Sequence, residues 1–314
     1  MWLTGPPRPR QDRGVTLRWS WSVPCVLLVG WACARGIGEP KAAPTPPRAS
    51  TVTETDQGVA ATHEPKDVAA PQATAKAVTP CPEGMVLIPR ARAEYCIDAY
   101  EASLEHRTGT VRSSWPGNRA VDGRESEIVA VSRAGVKPQG YISGEQAAAA
   151  CHNAGKRLCE AEEWVHACRG PDASVYPYGN ERRAGACNDR YDKLDRHPVV
   201  RLFYEKAPPG TDPKEMWYST WMNDPRLHEL SDTVTPTGSF AECTNAFGVY
   251  DMVGNLHEWV ADADGTFLGG FFMDTFQNGE GCGYRTQAHT TEYHDYSTGF
   301  RCCADPRAAS ELHG

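Results

Sequence analysis

The sequence predicts an α+β domain, rich in disulfides and poor in regular secondary structure, carried behind an export segment and a linker. Three observations predict it. Two short stretches with helix signals lie among several short strand-like runs, with long irregular sequence between them. Ten of the twelve cysteines fall between Cys81 and Cys303, an even number at a density that suits an oxidising compartment. None of those ten forms Cys-x-x-Cys, which places disulfides well above metal–thiolate sites. The 314 residues suffice for one or two domains with a sizeable core. A hydrophobic content of 40% is ordinary for a soluble globular chain. The formal net charge of −8 argues against nucleic acid as a partner, because that needs a basic face.

The chain opens with Arg8, Arg10, Arg13 and Arg18, followed by the apolar run Val23–Ala32. A basic region before a short apolar one is the layout of a secretory signal, and the run is too short to span a bilayer comfortably. Residues 1–33 are therefore expected to direct export, to the periplasm or cell envelope. Gly30-Trp-Ala32 before Cys33 is similar to a bacterial lipobox. That makes Cys33 a candidate for lipidation and the membrane a partner through that lipid; an ordinary cleaved signal is the other reading. Residues 34–80 hold no aromatic residue and no cysteine, and are rich in Ala, Pro and Thr. They cannot bury enough apolar surface to offset chain entropy, which predicts a disordered, semi-extended tether.

The folded domain is expected over 81–305, with a tail at 306–314. Gly84-Met-Val-Leu-Ile-Pro89 and Tyr95-Cys-Ile-Asp-Ala-Tyr-Glu101 read as strands. Cys81 and Cys96 flank this pair and are expected to staple it. Residues 104–135 show little periodicity and read as irregular. Ser143-Gly-Glu-Gln146 fits a capping box ahead of an alanine-rich helix that Gly155 closes. A second helix runs from about Glu160 to near Gly170, with Leu158, Trp164 and Cys168 toward the core and Glu160, Glu162 and Glu163 on a solvated face. From 188 to 237 no period is sustained, so this stretch reads as an irregular insertion or functional loop. Phe267–Met273 and Thr298–Cys302 read as late strands. Asn245–Trp259 combines apolar anchors, two glycines, Asp251 and Glu258, and stands out as a loop able to carry chemistry.

Several pieces occur in one order: Gly84–Pro89, Ala154-Gly-Lys-Arg-Leu158 running to Glu163-Trp164, Tyr176-Pro-Tyr-Gly-Asn180, Phe247-Gly-Val-Tyr-Asp-Met-Val-Gly-Asn-Leu-His-Glu-Trp259, Gly269-Gly270 and Gly299-Phe-Arg-Cys302. With them the chain resembles the formylglycine-generating enzyme, or sulfatase-modifying factor, family. The resemblance implies a compact fold related to C-type lectins. In its catalytic members it implies oxidation of a sulfatase cysteine to formylglycine, with oxygen and copper held by two cysteines after the Gly-Gly pair. In this chain Phe271 stands where a serine usually follows the glycines, and Asp274 where the first catalytic cysteine is expected. The second falls around Asn278 or Gly279. A soft Cu(I) ion wants thiolates, so copper is not expected. The main expectation is a binding or structural module of the cell envelope with an unknown protein or glycan ligand. The alternative is a formylglycine-generating-type oxidoreductase, or another oxidase, with an altered site.

By the same resemblance, Cys168 pairs with Cys282 and Cys151 with Cys302, which makes Cys282 structural rather than reactive. Cys159–Cys187 is the further pair expected, leaving Cys243–Cys303 by elimination. The resemblance also implies a structural Ca²⁺ held by Asp251, Glu258 and the carbonyls of Gly254 and Leu256, and a second at Asn188 with the Asp189 carbonyl. Calcium takes six to eight such oxygens. His257 reads as a packing residue; His289, His294 and Asp295 form a weaker candidate cluster. Arg301 is expected to pair with Asp98 or Glu101.

Overall fold

The computed structural model describes residues 80–189 and 197–307. The expected export segment with Cys33, the expected linker before Pro80 and most of the expected tail lie outside the described residues. Three small sheets and two short helices build the body. β1 (Met85–Ile88) and β2 (Tyr95–Asp98) pair antiparallel and continue through β11 (Cys302–Ala304) to β6 (Arg157–Leu158). The second sheet has the order β10 (Thr298–Phe300), β7 (His257–Trp259), β8 (Phe267–Leu268), β9 (Arg285–Thr286), with β10 parallel to β7. β4 (Val111–Ser114), β3 (Ala102–Thr108) and β5 (Ile128–Ser132) form the third.

This third sheet corrects the expectation of irregular chain over 104–135. The hairpin β3–β4 turns at Gly109, whose φ of 61° suits the turn. All four residues of β4 are exposed, so no hydrophobic alternation announces the strand.

α1 (Gly144–Asn153) starts on the capping box, with Ser143 Oγ accepting from Gln146 N and the Gln146 side chain accepting from Ser143 N. α2 (Ala161–Arg169) buries Trp164, Ala167 and Cys168. Glu163 is not on a solvated face. It lies 7% exposed, accepts twice from Arg157 at 2.7 Å and once from Glu160 N. Burial opposes its charge, but Arg157 outweighs that and holds the carboxyl below the usual range.

The insertion also carries regular structure. α3 (Pro198–Lys206) buries Val199, Leu202 and Phe203, and is followed by two 3₁₀ turns and the short α4 (Ser219–Met222). The i, i+3, i+4 spacing of those three residues is a helix period confined to barely two turns.

Five disulfides join the ten cysteines of the domain: Cys81–Cys96, Cys151–Cys302, Cys159–Cys303, Cys168–Cys282 and Cys187–Cys243. The expected pairs Cys159–Cys187 and Cys243–Cys303 are corrected. Adjacent residues of a strand point to opposite faces. Cys302 turns from β11 toward α1, so Cys303 faces the other way, where Cys159 follows β6. Cys187 is then left to clamp Cys243 at the entry to the Asn245–Trp259 loop.

Candidate functional site

Two glycine-cornered turns organise the functional face. The first runs from Asp251 to Trp259. Asp251 and Asn255 both take positive φ, 57° and 58°. Gly254 is required: at φ 80° a Cβ there would meet the Asn188 carbonyl oxygen at 2.2 Å. Trp259 donates from Nε1 to Ile142 O, and Trp164 from α2 donates to Glu258 Oε2 at 2.6 Å.

Glu258 is the counter-ion of Arg301. The guanidinium is fully buried and donates from Nε and Nη2 to the two Glu258 oxygens at 2.6 and 2.7 Å. Its remaining donors reach the main-chain carbonyls of Asp98 and Tyr250. Arg301 therefore pairs with Glu258, not with the Asp98 or Glu101 carboxylates. Asp98 instead accepts from Lys156 Nζ at 2.6 Å and from Cys302 N. Glu101 accepts from Asn255 Nδ2 and from Leu256 N. Burial opposes the charge of Arg301, but the Glu258 carboxylate outweighs it and keeps the guanidinium protonated.

The polar network holds more negative than positive charge. Burial first, and then the neighbouring Asp251 and Glu258 carboxylates, raise Glu101 well above the usual carboxyl range. Burial pushes Asp251 up to about 6. Sequence reasoning named Glu101 only as a partner for Arg301 and missed Asn255 as a member of this network. Their roles come from contacts across 154 residues that no local pattern displays.

The expected first calcium set meets this geometry only in part. Asp251, Gly254, Leu256 and Glu258 do lie on one turn. However, Glu258 gives both oxygens to Arg301 and Trp164, and Asp251 Oδ2 accepts from Gly238 N. Among the described residues no group of three His, Cys, Asp or Glu converges as a metal site. The second set fits better at one atom. Asn188 donates its amide to Thr233 O and Asn255 Oδ1, while its Oδ1 is buried without a partner. An orphaned buried oxygen is the kind of donor that Ca²⁺ takes. The Asp189 carboxylate and carbonyl both accept from Arg182.

The second turn runs from Gly270 to Tyr284. Gly270 has φ 71°, and a Cβ there would meet the Asp274 carbonyl at 2.2 Å. Asp274 is 7% exposed and spends its side chain locally. Oδ1 caps the turn by accepting from Phe276 N and Gln277 N, and Oδ2 accepts from Tyr284 OH at 3.0 Å. Asn278 donates to the same phenol oxygen. Cys282 is bonded to Cys168 and has no free thiol.

A cavity of about 170 Å³ opens beside this turn, lined among others by His257, Asn278, Tyr284, His289, Asp295 and Ser297. His257 packs its ring against Phe267, Phe271 and Tyr284 at 4.6, 4.8 and 5.5 Å. Its Nδ1 is buried without a partner. Burial lowers its pKa to about 3, with nearby His289 adding to the effect, so the ring is neutral. The structure does not bring His289, His294 and Asp295 together as one centre. Asp295 accepts from Ser297 and Tyr293, His294 faces Asn223 and Asp122, and His289 stacks on Tyr293 at 3.6 Å.

A profile of the sulfatase-modifying factor enzyme 1-like domain matches residues 90–306. The chain belongs to this family. The Inactive C-alpha-formylglycine-generating enzyme 2 of Bos taurus is 30% identical over 125 residues, which are 40% of this chain and 32% of that protein. The Formylglycine-generating enzyme of Thermomonospora curvata is 29% identical over 199 residues, 54% of this chain and 56% of that protein. The match thus spans from a third to about half the length of these curated relatives. PvdO from Pseudomonas aeruginosa superposes with a TM-score of 0.39 at 15% identity, over 70% of this chain and 90% of that one, too low to carry an argument. Family membership gives the α+β fold its type. Its named relatives include both an enzyme and an inactive counterpart, so the site itself must be read for activity.

Proposed function

We propose that the domain is a non-catalytic binding or structural module, exported to the cell envelope and held there by a lipid on Cys33. One observation carries the non-catalytic reading. The place expected for the first catalytic thiol holds Asp274, fixed in a turn, and all ten cysteines from Cys81 to Cys303 are spent in disulfides. The family reaction needs thiolates, and among the described residues none remains. The test is alkylation of the unreduced, unfolded protein followed by mass spectrometry. No label on Cys81–Cys303 is expected; a labelled pair in this range would overturn the reading.

The runner-up is an oxidoreductase of the formylglycine-generating type, or another oxidase, with an altered site. It is favoured by the neutral His257 imidazole beside the cavity, whose buried Nδ1 has no partner. Export and anchoring rest on the basic and apolar leader with Cys33. Replacing Cys33→Ser should move the protein from the membrane to the soluble fraction; an unchanged distribution contradicts lipidation. Structural calcium rests on the orphaned Asn188 oxygen and on the excess of buried carboxylates around Asp251.

A further inference from the structure

The insertion leaves aromatic surface in water. Trp217 is 52% exposed, Tyr218 60% and Tyr204 69%, in a domain whose other large aromatics are mostly buried. Exposed aromatic surface next to a cavity marks a binding site more often than chance. Trp217 lines a cavity of about 230 Å³ together with Ser219, Asn223, Glu292, Tyr293 and His294. One wall is therefore an indole, with Met222 and the Tyr293 ring adding apolar surface, and Ser219, Asn223, Glu292 and His294 make the polar part.

The polar wall is preset. Asn223 donates from its amide to Ser219 Oγ and to His294 O, and its Oδ1 faces His294 Nδ1 at 2.8 Å. These contacts fix the amide orientation before any ligand arrives. Glu292 is exposed, and among the described residues its carboxylate has no hydrogen-bond or ion-pair partner. His197 packs edge-on against the indole at 5.1 Å and holds it in place.

We propose that this cavity binds a saccharide. A pyranose ring has C–H-rich faces that lie against an aromatic plane, and a rim of hydroxyls that both donate and accept. Trp217 supplies the plane, Glu292 supplies free acceptors, and the Ser219 hydroxyl, whose oxygen accepts from Asn223, supplies a donor. A purely apolar partner would desolvate the unpartnered Glu292 carboxylate, which is costly. A free anion would meet the Glu292 carboxylate, which repels it. The site shares Tyr293 with the cavity beside the thiol-free turn but takes no residue of that turn, so it holds whether or not that turn catalyses.

The test is calorimetric titration of the full chain with glucose, galactose, N-acetylglucosamine and short β-linked oligomers of each, into the millimolar range. At least one of these probes is expected to bind. Trp217→Ala should weaken it by about tenfold or more, Trp217→Phe less, and Glu292→Gln measurably. Unchanged circular dichroism and melting temperature of the exposed-site variants exclude misfolding as the cause. No binding by any probe, or equal binding by Trp217→Ala, overturns the proposal. So does sugar-independent self-association that Trp217→Ala abolishes, which would make a second copy of the chain the occupant. None of these results bears on the thiol count that tests the non-catalytic reading.

Discussion

The turns at 251–259 and 270–284 share a construction: each has a glycine at positive φ whose Cβ would strike a backbone carbonyl, and each buries a carboxylate. They differ in what the carboxylate holds. Glu258 faces a full charge brought from β10–β11 by Arg301, and so ties the second sheet, α2 and the chain end together. Asp274 faces two turn amides and a phenol within ten residues. The first turn is a hub and the second a self-contained loop. A self-contained loop can change its residues without disturbing the fold, which is how a reaction centre can lose its thiols while the scaffold persists.

The largest effects should separate these roles. Cys151→Ser with Cys302→Ser opens a cross-link across 151 residues and should cost about 3–5 kcal/mol in urea unfolding, since it constrains so much of the unfolded chain. Glu258→Gln should cost about 3–5 kcal/mol as well, because it strands the buried Arg301 charge. Asp274→Asn should cost only about 1–2 kcal/mol, the loss of neutral-donor hydrogen bonds. If Asp274→Asn proves as damaging as Glu258→Gln, the contrast between hub and loop fails.

A smaller effect sharpens the contrast by pH. His228 is buried against Tyr141, with Nε2 facing Tyr296 O and Lys137 donating to its carbonyl. Burial lowers its pKa to about 4. A depressed histidine contributes stability that is complete above about 6.5 and is lost as pH falls toward 4. Between pH 7 and 5, His228→Gln should therefore lose about 1–2 kcal/mol less than wild type. Parallel pH profiles would show that this imidazole is not buried neutral. The smallest expected shift is calcium's. Chelator should lower the wild-type melting temperature and leave Asn188→Ala unmoved; equal responses would count against the Asn188 site.

Much of the fold was legible because its signals are local. The capping box at Ser143 and Gln146, the Gly155 and Gly170 stops, and the opening strand pair all depend on neighbours in sequence. Partners across the chain were less legible. Arg301 was readable as a buried cation, but its choice of Glu258 over Asp98 or Glu101 is decided by strand register. The expected pairs Cys159–Cys187 and Cys243–Cys303 both failed for the same reason, since only the pleat of β11 separates Cys302 from Cys303. Helix α3 was missed although Val199, Leu202 and Phe203 carry its period, because two turns give too few repeats to outweigh the surrounding Pro and Gly. At the candidate site, Asp274 is readable in the sequence at the place where the resemblance expects the first thiol. The cavity, the unpartnered His257 nitrogen and the Tyr284 bond were not, because they arise from folding β7, β8 and β9 together.

The central claim is that this domain keeps the scaffold of its family and has lost the thiol chemistry. Its most direct test is incubation of the purified protein with copper, oxygen and a cysteine-containing sulfatase-motif peptide, followed by mass spectrometry of the peptide. The account predicts no aldehyde above the level seen without protein. Protein-dependent conversion of the cysteine to formylglycine would contradict it.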